Sequence, residues 1–589
     1  MNVNTPVLRP AFLWAASGAL ALLLGPGQAL AQRVSAAKPM FSEAVAFDVS
    51  KAARDIVPMS GGGRLALPEG GILDVRPERG PTVLDKGHSA DGALGKPNAA
   101  ATSAAKKGDV FANFEGVSNQ DNFNIFGFRV NPPDPVGDVG PNHYVEMVNL
   151  AYAVYDKSGN LLAGPFDTGT LWAGFPIEDC TDPSGDPIVL YDQQVNRWIL
   201  SQFTTRGTPF YYNCVAVSKT PDPTGEYYRY AFQTQRDMTP TDPPIEAYYF
   251  PDYPKYGVWT DSYLMTTRDF GDLGGYGVSV YALEKAKMIS GNPKARAVQF
   301  FLDSEVVPIN LIGDGLLPAD IDGHRRPQAQ VPAPIVGSQD NDFLPYGATF
   351  DALNVFELSV RWNSKPEAWF TLAAQLPVAA FDSVFPCAPT SRDCLPQPGI
   401  SNPAQKLDIL SYRQRVTHRL AYRNFGGHES MVTNQSVEAQ PGIAGVRWYE
   451  LRRVDGQYSV YQQGTYSPDS VNRWMGSAAM DRDGNMAIGY SVVDGESVYP
   501  GIRYTGRLAG DPLGQMTLGE GTIVNGTGVQ LTTNSRWGDY TSLNVDPTDD
   551  CTFWYVNEYY TAASQASSLA GWLTRIGSFK LPGCAPSAK

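Results

Sequence analysis

The stretch Arg473-Trp474-Met475-Gly476-Ser477-Ala478-Ala479-Met480-Asp481-Arg482-Asp483-Gly484-Asn485-Met486-Ala487-Ile488-Gly489-Tyr490 reads as two short apolar strands joined by a tight Asp-Gly turn. A second copy begins at Arg536-Trp537-Gly538-Asp539-Tyr540. It runs through Ser542-Leu543-Asn544-Val545-Asp546, a turn at 547–550, and Thr552-Phe553-Trp554-Tyr555. A third runs from Gly185-Asp186-Pro187 through Ile188-Val189-Leu190-Tyr191-Asp192 to Arg197-Trp198-Ile199-Leu200. Each unit is a hairpin entered through a Gly or Asp corner, and a unit recurring along a chain signals a repeat architecture.

Looser copies begin at Gly137-Asp138, at Pro251-Asp252, near Asp340 and near His418. The corners then fall at 138, 186, 252, 340, 418, 476 and 539. Four-stranded propeller blades need about 40–50 residues, so these spacings fit blades with loop insertions. The expected fold is all-β, a single β-propeller of about seven four-stranded blades; six or eight also fit the weak middle copies. Two β-sandwich domains are the alternative, disfavoured because the repeat spans most of the chain. Between the corners run aromatic and β-branched segments such as Tyr144 to Tyr155, Tyr256 to Thr267 and Thr349 to Trp362, broken by Gly, Pro, Asn and Asp. Leu283 to Ile289 is the best helical candidate.

Working outward to the N-terminus, Arg9, an apolar run from Ala11 to Leu24 and Ala29-Leu30-Ala31 make residues 1–31 a secretory signal peptide. Residues 32–108, rich in Ala, Gly, Pro, Ser and Lys, read as a flexible linker or pro-region, and 109–589 as the propeller domain. The expected location is secreted or periplasmic, with no transmembrane segment in the mature chain. Six cysteines in an exported chain read as disulfides, and neighbouring pairs are expected: Cys180 with Cys214, Cys387 with Cys394, Cys551 with Cys584. No C-x-x-C or zinc spacing occurs, so no metal site is assigned.

The chain has 589 residues and a formal net charge of −14, which argues against nucleic-acid or anionic-membrane partners. With 11% aromatic residues it is too aromatic for a disordered protein. A monomer is expected.

The strings Gly445-Val446-Arg447-Trp448-Tyr449-Glu450-Leu451, Gln463-Gly464-Thr465-Tyr466, the two Arg-Trp units and Thr574-Arg575-Ile576-Gly577-Ser578-Phe579 resemble a group of exported bacterial β-propeller proteins. Pro132 to Gly140 and Leu317 to Gly323 are similar to earlier segments of that group. The resemblance implies fold and export and transfers no catalytic residue. Its broader kin would be sialidase-like propellers with Asp-boxes. The nearest Asp-box match, Ser477 through Met486, has its Asp and Gly displaced and lacks the Trp, so sialidase activity is not implied.

Candidate chemistry comes from residues at and near the corners. Asp138, Asp186, Asp252 and Asp539 would ring one mouth of the channel, as a glycosidic acid–base set or as Ca²⁺ ligands; alternatively each caps a tight turn. No other cofactor is implied. Gly-flanked His428 next to Glu429 is a candidate general base. Arg473 and Arg536 could fork onto a uronate carboxylate, with Tyr540 or His428 taking the C5 proton, as in a polysaccharide lyase. Trp474 and Trp537, beside those arginines, count among the binding residues. Against these roles stands an architectural one, because both Arg-Trp pairs occupy the same repeat position. The function expected is recognition or processing of an extracellular glycan, a polysaccharide or surface glycan being the partner. The alternative is a non-catalytic adhesin or protein-interaction scaffold. Whether the chain is an enzyme stays open at this stage. G-x-S-x-G and H-E-x-x-H motifs are absent.

Overall fold

The computed structural model describes residues 34, 37–56, 71–74, 85–95, 110–207, 210–237, 246–328, 330–409 and 414–584. The segment read as a signal peptide lies outside the described residues.

From Val136 onward the chain makes antiparallel four-stranded units in sequence order. The innermost strands are Val136–Val139 (blade 1), Ile188–Asp192 (blade 2), Ala247–Val258 (blade 3), Leu317–Asp322 (blade 4), Thr417–Asn424 (blade 5), Asn472–Met480 (blade 6) and Ser542–Val545 (blade 7). Each inner strand packs against the inner strand of the next blade, and that of blade 7 against that of blade 1, so the units close into a ring. The architecture is a β-propeller. Blades 4 and 5 are joined further, since Ala319–Asp322 pairs in parallel with Leu420–Arg423.

Closure uses the N-terminal side of the chain. Val110–Ser118 is the outer strand of blade 7, paired with Leu573–Lys580, so that blade joins a segment before blade 1 to the last strands of the ring. Part of the segment read as a linker is also ordered structure. Met40–Glu43 adds an edge strand to blade 3 and Ala46–Val49 adds one to blade 2. Ile72–Asp74 pairs in parallel with Arg129–Asn131. The flexible reading is therefore corrected for these residues: their apolar positions are too few for a periodic signal, but pairing with an existing sheet edge satisfies their backbone groups without one.

The core lies between blades, which explains the aromatic content. Tyr144 of blade 1 stacks on Trp554 of blade 7 at 5.5 Å between ring centroids, and Tyr504 of blade 6 stacks on Phe579 of blade 7 at 3.8 Å. Such pairs add about 0.5–1.5 kcal/mol each beyond the area they bury. The disulfides are Cys180–Cys214, Cys387–Cys394 and Cys551–Cys584, the neighbouring pairs expected. The helix read at Leu283 to Ile289 is Lys285–Ile289. No helix among the described residues is long and apolar enough to cross a membrane.

Candidate functional site at the mouth of the channel

The inner strands carry a sharp corner with a left-handed residue, ahead of the strand in blades 1 and 2 and within it in blades 3 and 6. In blades 1, 2 and 3 that residue is Asp134 (φ 47°), Asp186 (φ 52°) and Tyr253 (φ 51°), and each is followed by proline. Proline sets the next φ for the strand and Asp tolerates the left-handed region, so Asp-Pro is a natural corner. The corner of blade 1 is thus Asp134, four residues before the Asp138 assigned from sequence. Asp138 sits farther along the strand, where its carboxylate accepts the Val139 and Tyr191 amides, both at 2.6 Å. Likewise Asp340 follows the second strand of blade 4 and is not an inner corner.

These corners bring a polar cluster to the mouth where the chain enters the inner strands. Asp186 Oδ2 accepts the Tyr253 amide at 3.0 Å and the Tyr540 hydroxyl at 3.0 Å. Lys255 Nζ lies between two rings, 3.2 Å from the centroid of Tyr253 and 3.3 Å from that of Tyr540. The Arg415 guanidinium covers Tyr253 at 4.0 Å. Arg536 pairs with Asp539. Asp134, Asp186, Lys255 and Tyr540 are all buried.

Burial dominates the electrostatics. It raises Asp186 to about 6, with the Asp252 charge adding and Lys255 and Arg536 opposing. It raises Asp134 well above the carboxylate range, with the Asp186 charge adding. It pushes Lys255 well below the usual ammonium value, opposed by the Asp186 charge. His418, buried with no hydrogen bond to either ring nitrogen, is held well below the usual imidazole value by burial and by Lys255. Nearby Glu558 accepts the Gly538 amide at 2.8 Å, and burial raises it well above the ordinary value. The mouth therefore combines two carboxyls raised by burial, Asp186 to about 6, with a phenol and with an amine and an imidazole both lowered by burial. Such a set can donate and accept protons at neutral pH.

The sequence candidates divide between places. Asp186, Asp252, Arg536, Asp539 and Tyr540 come together at this mouth. His428 and Glu429 do not: they sit in the turn after the inner strand of blade 5, at the opposite end of the ring. Glu429 pairs there with Arg453 at 3.0 Å. His428 cannot serve Arg536 or Tyr540 as the base, and that pairing is corrected. Arg473 is also removed from substrate chemistry. Its fully buried guanidinium is held by Asp469 and Glu520, each at 2.8 Å, and by the Val471 carbonyl at 2.7 Å. Trp474 and Trp537 are buried core residues 5.4 Å apart between blades 6 and 7, so they offer no face to a sugar. The shared Arg-Trp position is architectural, as a repeated position requires.

Asp134 and Lys255 are not singled out from sequence, and His418 is marked there only as a repeat corner. Asp134 carried a usable signal, the Asp-Pro dipeptide it shares with Asp186. Lys255 carried none, because its burial follows from a break in strand register between Asp252 and Lys255.

No family model and no curated protein matches the chain. Among solved structures it is similar to the α-L-arabinofuranosidase Arb93A of Fusarium graminearum in complex with an iminosugar inhibitor. That likeness has 10% identity and a TM-score of 0.34, covering 67% of this chain and 94% of that one. It is similar also to an α-L-arabinanase of Penicillium chrysogenum complexed with arabinobiose (10%, TM-score 0.28, 67% and 94%). A third is a GH43 endo-arabinanase of Bacillus licheniformis (12%, TM-score 0.27, 56% and 96%).

Proposed function

We propose that this chain is a secreted, seven-bladed propeller that cleaves a glycosidic bond in an extracellular glycan at the mouth lined by Asp134, Asp186, Lys255 and Tyr540. The observation that supports this reading is the pairing of two buried carboxyls from adjacent blades whose environments differ. Burial and the Asp186 charge raise Asp134 well above the ordinary carboxylate value, while Asp186 accepts two hydrogen bonds and has the Arg536 charge opposing its rise. Glycoside hydrolysis needs this division of labour, one carboxylic acid to protonate the leaving oxygen and one carboxylate to activate water or attack the sugar. Asp134 is the acid in this reading and Asp186 the carboxylate. The Tyr540 hydroxyl and the Tyr253 amide hold the carboxylate in place. Export is supported by the apolar N-terminal run and three disulfides.

The test is to incubate the purified mature protein with neutral polysaccharides, arabinan among them, and with uronate-containing ones, reading products by mass spectrometry. Hydrolysed oligosaccharides from the wild type that are absent with Asp134→Asn and Asp186→Asn would support the proposal. Product from neither polymer class, or product undiminished in both variants, would sink it. Unsaturated products would instead indicate elimination.

A further inference from the structure

A separate cluster lies between blades 4 and 5, where an N-terminal stretch docks on the ring. Residues 85–95 are held there by several contacts. Asp91 receives Arg447 Nη2 at 2.5 Å and the Thr465 hydroxyl at 2.7 Å, Gly92 donates to the Ala380 carbonyl at 2.8 Å, and the Thr465 amide donates to the Ala93 carbonyl at 2.8 Å. This docking carries His88 over Asp382, in the connection from blade 4 to blade 5, and Glu438, near the end of the second strand of blade 5.

One ligand atom from each of His88, Asp382 and Glu438 lies within 4.8 Å of the others. Their remaining contacts orient them. Glu438 Oε1 accepts the Gly442 amide at 2.6 Å, and the Glu438 amide donates to the Asp382 carbonyl at 2.7 Å. Asp382 accepts the Val384 amide at 2.8 Å through Oδ1 and the Ser89 amide at 3.1 Å through Oδ2. Glu438 is 2% exposed, yet its Oε2 has no hydrogen-bond partner. It faces His88 Nδ1, also without a hydrogen bond, at 3.7 Å. That separation is too long for a charge-assisted hydrogen bond, which closes to about 2.7–2.9 Å. It is close to the spacing of two ligands on one ion, about 3.4 Å for bonds near 2.1 Å in a tetrahedron.

We propose that His88, Asp382 and Glu438 form a binding site for a divalent ion of the Zn²⁺ class, which clasps residues 85–95 to blades 4 and 5. An imidazole with two carboxylates suits zinc and is a poor cage for Ca²⁺, which wants six to eight oxygens. His88 is partly exposed, giving the ion an entry path from solvent. The site does not involve the channel mouth, so it stands or falls independently of the hydrolase reading.

The experiment uses the full mature chain, stripped with EDTA, dialysed against Zn²⁺ and analysed for bound metal. About one equivalent per chain is expected, with His88→Ala binding about tenfold or more weakly. Co²⁺ in place of Zn²⁺ should give the visible absorption of a low-coordinate site, lost in the same variant. Ca²⁺ at equal concentration should not displace Zn²⁺. Circular dichroism checks that His88→Ala is folded, and Asp382→Asn, expected to weaken Zn²⁺ binding likewise, is the second variant. Equal Zn²⁺ binding by wild type and His88→Ala, or no bound Zn²⁺ in either, would overturn the proposal. Displacement by Ca²⁺ would overturn the assignment to the zinc class.

Discussion

The Tyr540 hydroxyl donates to the Asp186 carboxylate at 3.0 Å across 354 residues of sequence, joining the corner of blade 7 to the corner of blade 2 over the mouth of the channel. Blade 1 lies between them in the ring, so this bond spans an entire blade. It fixes the carboxylate assigned to hydrolysis, and it does so with a side chain whose ring packs at a tilt against Tyr253 and covers Lys255. Geometry at the mouth therefore depends on ring closure, since a ring left open at blade 7 would carry Tyr540 away from Asp186.

Tyr540→Phe should destabilise the protein by about 1–3 kcal/mol at pH 8, the cost of removing one of two donors from a buried carboxylate. The sign of the pH dependence follows from Asp186. Its folded pKa of about 6 lies above its unfolded value of 3.8, so the folded state holds the proton more tightly. Stability from this group is fully present below the unfolded pKa and falls as pH rises towards the folded one. Without the phenol the folded pKa climbs further and the fall is deeper. The difference between wild type and variant in urea midpoints should therefore grow from pH 5 to pH 8; a constant difference would mean that the phenol does not bias Asp186.

Asp134→Asn should separate stability from chemistry. Burial raises the wild-type carboxyl well above its unfolded value, so ionisation of the unfolded chain draws stability down as pH rises past about 4. An amide of the same shape has no charge to lose. The variant should melt higher than wild type at pH 8 with a smaller gain at pH 4.5, while product formation drops about 100-fold or more. A stabilised variant that keeps full activity would remove Asp134 from the acid role.

Much of the ring was legible because hairpins repeat and because Trp-containing units mark blade interfaces. The Arg536 unit carries its hairpin and its corner in one short string. Blade 4 is different: Pro, Gly and Asp recur within it, so Asp340 competed with the true corner around Gly313 and Gly315, both at positive φ. Individual roles were harder to read, because the same residue type at a repeated position meets different surroundings. Arg473 finds two carboxylates within its own blade and is locked, whereas Arg536 finds Asp539 at the channel mouth. That difference is set by neighbours distant in sequence. His428 and Glu429 line a separate cavity beside the blade 5 hairpin, away from Arg536 and Tyr540, a placement set by which end of the strand the turn falls on.

Arg473→Met should act through folding alone. The substitution strips a fully buried cation from Glu520, which keeps Arg503 at 2.7 Å, so the loss is at the lower end for a broken buried ion pair. A decrease of about 3 kcal/mol in unfolding free energy is expected, with KM for any active polymer unchanged. Trp537→Ala should cost about 3–5 kcal/mol by opening a cavity at the interface of blades 6 and 7 and freeing the Ser491 hydroxyl it bonds at 3.0 Å. A selective rise in KM in either variant, at wild-type stability, would restore them to the binding surface.

The N-terminal stretch supplies the sharpest test of the fold. A chain starting at residue 109 keeps Val110–Ser118 and so retains a complete blade 7, but loses the edge strands Met40–Glu43 and Ala46–Val49. It also loses Asp48, which holds Arg229 through two bonds of 2.6 and 2.5 Å, and Asp91, which is buried against Arg447. Stranding Arg447 without its carboxylate should cost about 3–5 kcal/mol, so Asp91→Ala in the full chain should reproduce much of the deficit. The shortened protein is expected to fold, melt lower and elute as a monomer. A chain starting at residue 119 is expected not to fold, because blade 7 would lack its outer strand and leave the edge of Leu573–Lys580 unpaired. If the chain from residue 109 melted at the wild-type temperature, the N-terminal strands would be ornaments on a ring that stands without them, and Asp91→Ala should then be silent as well.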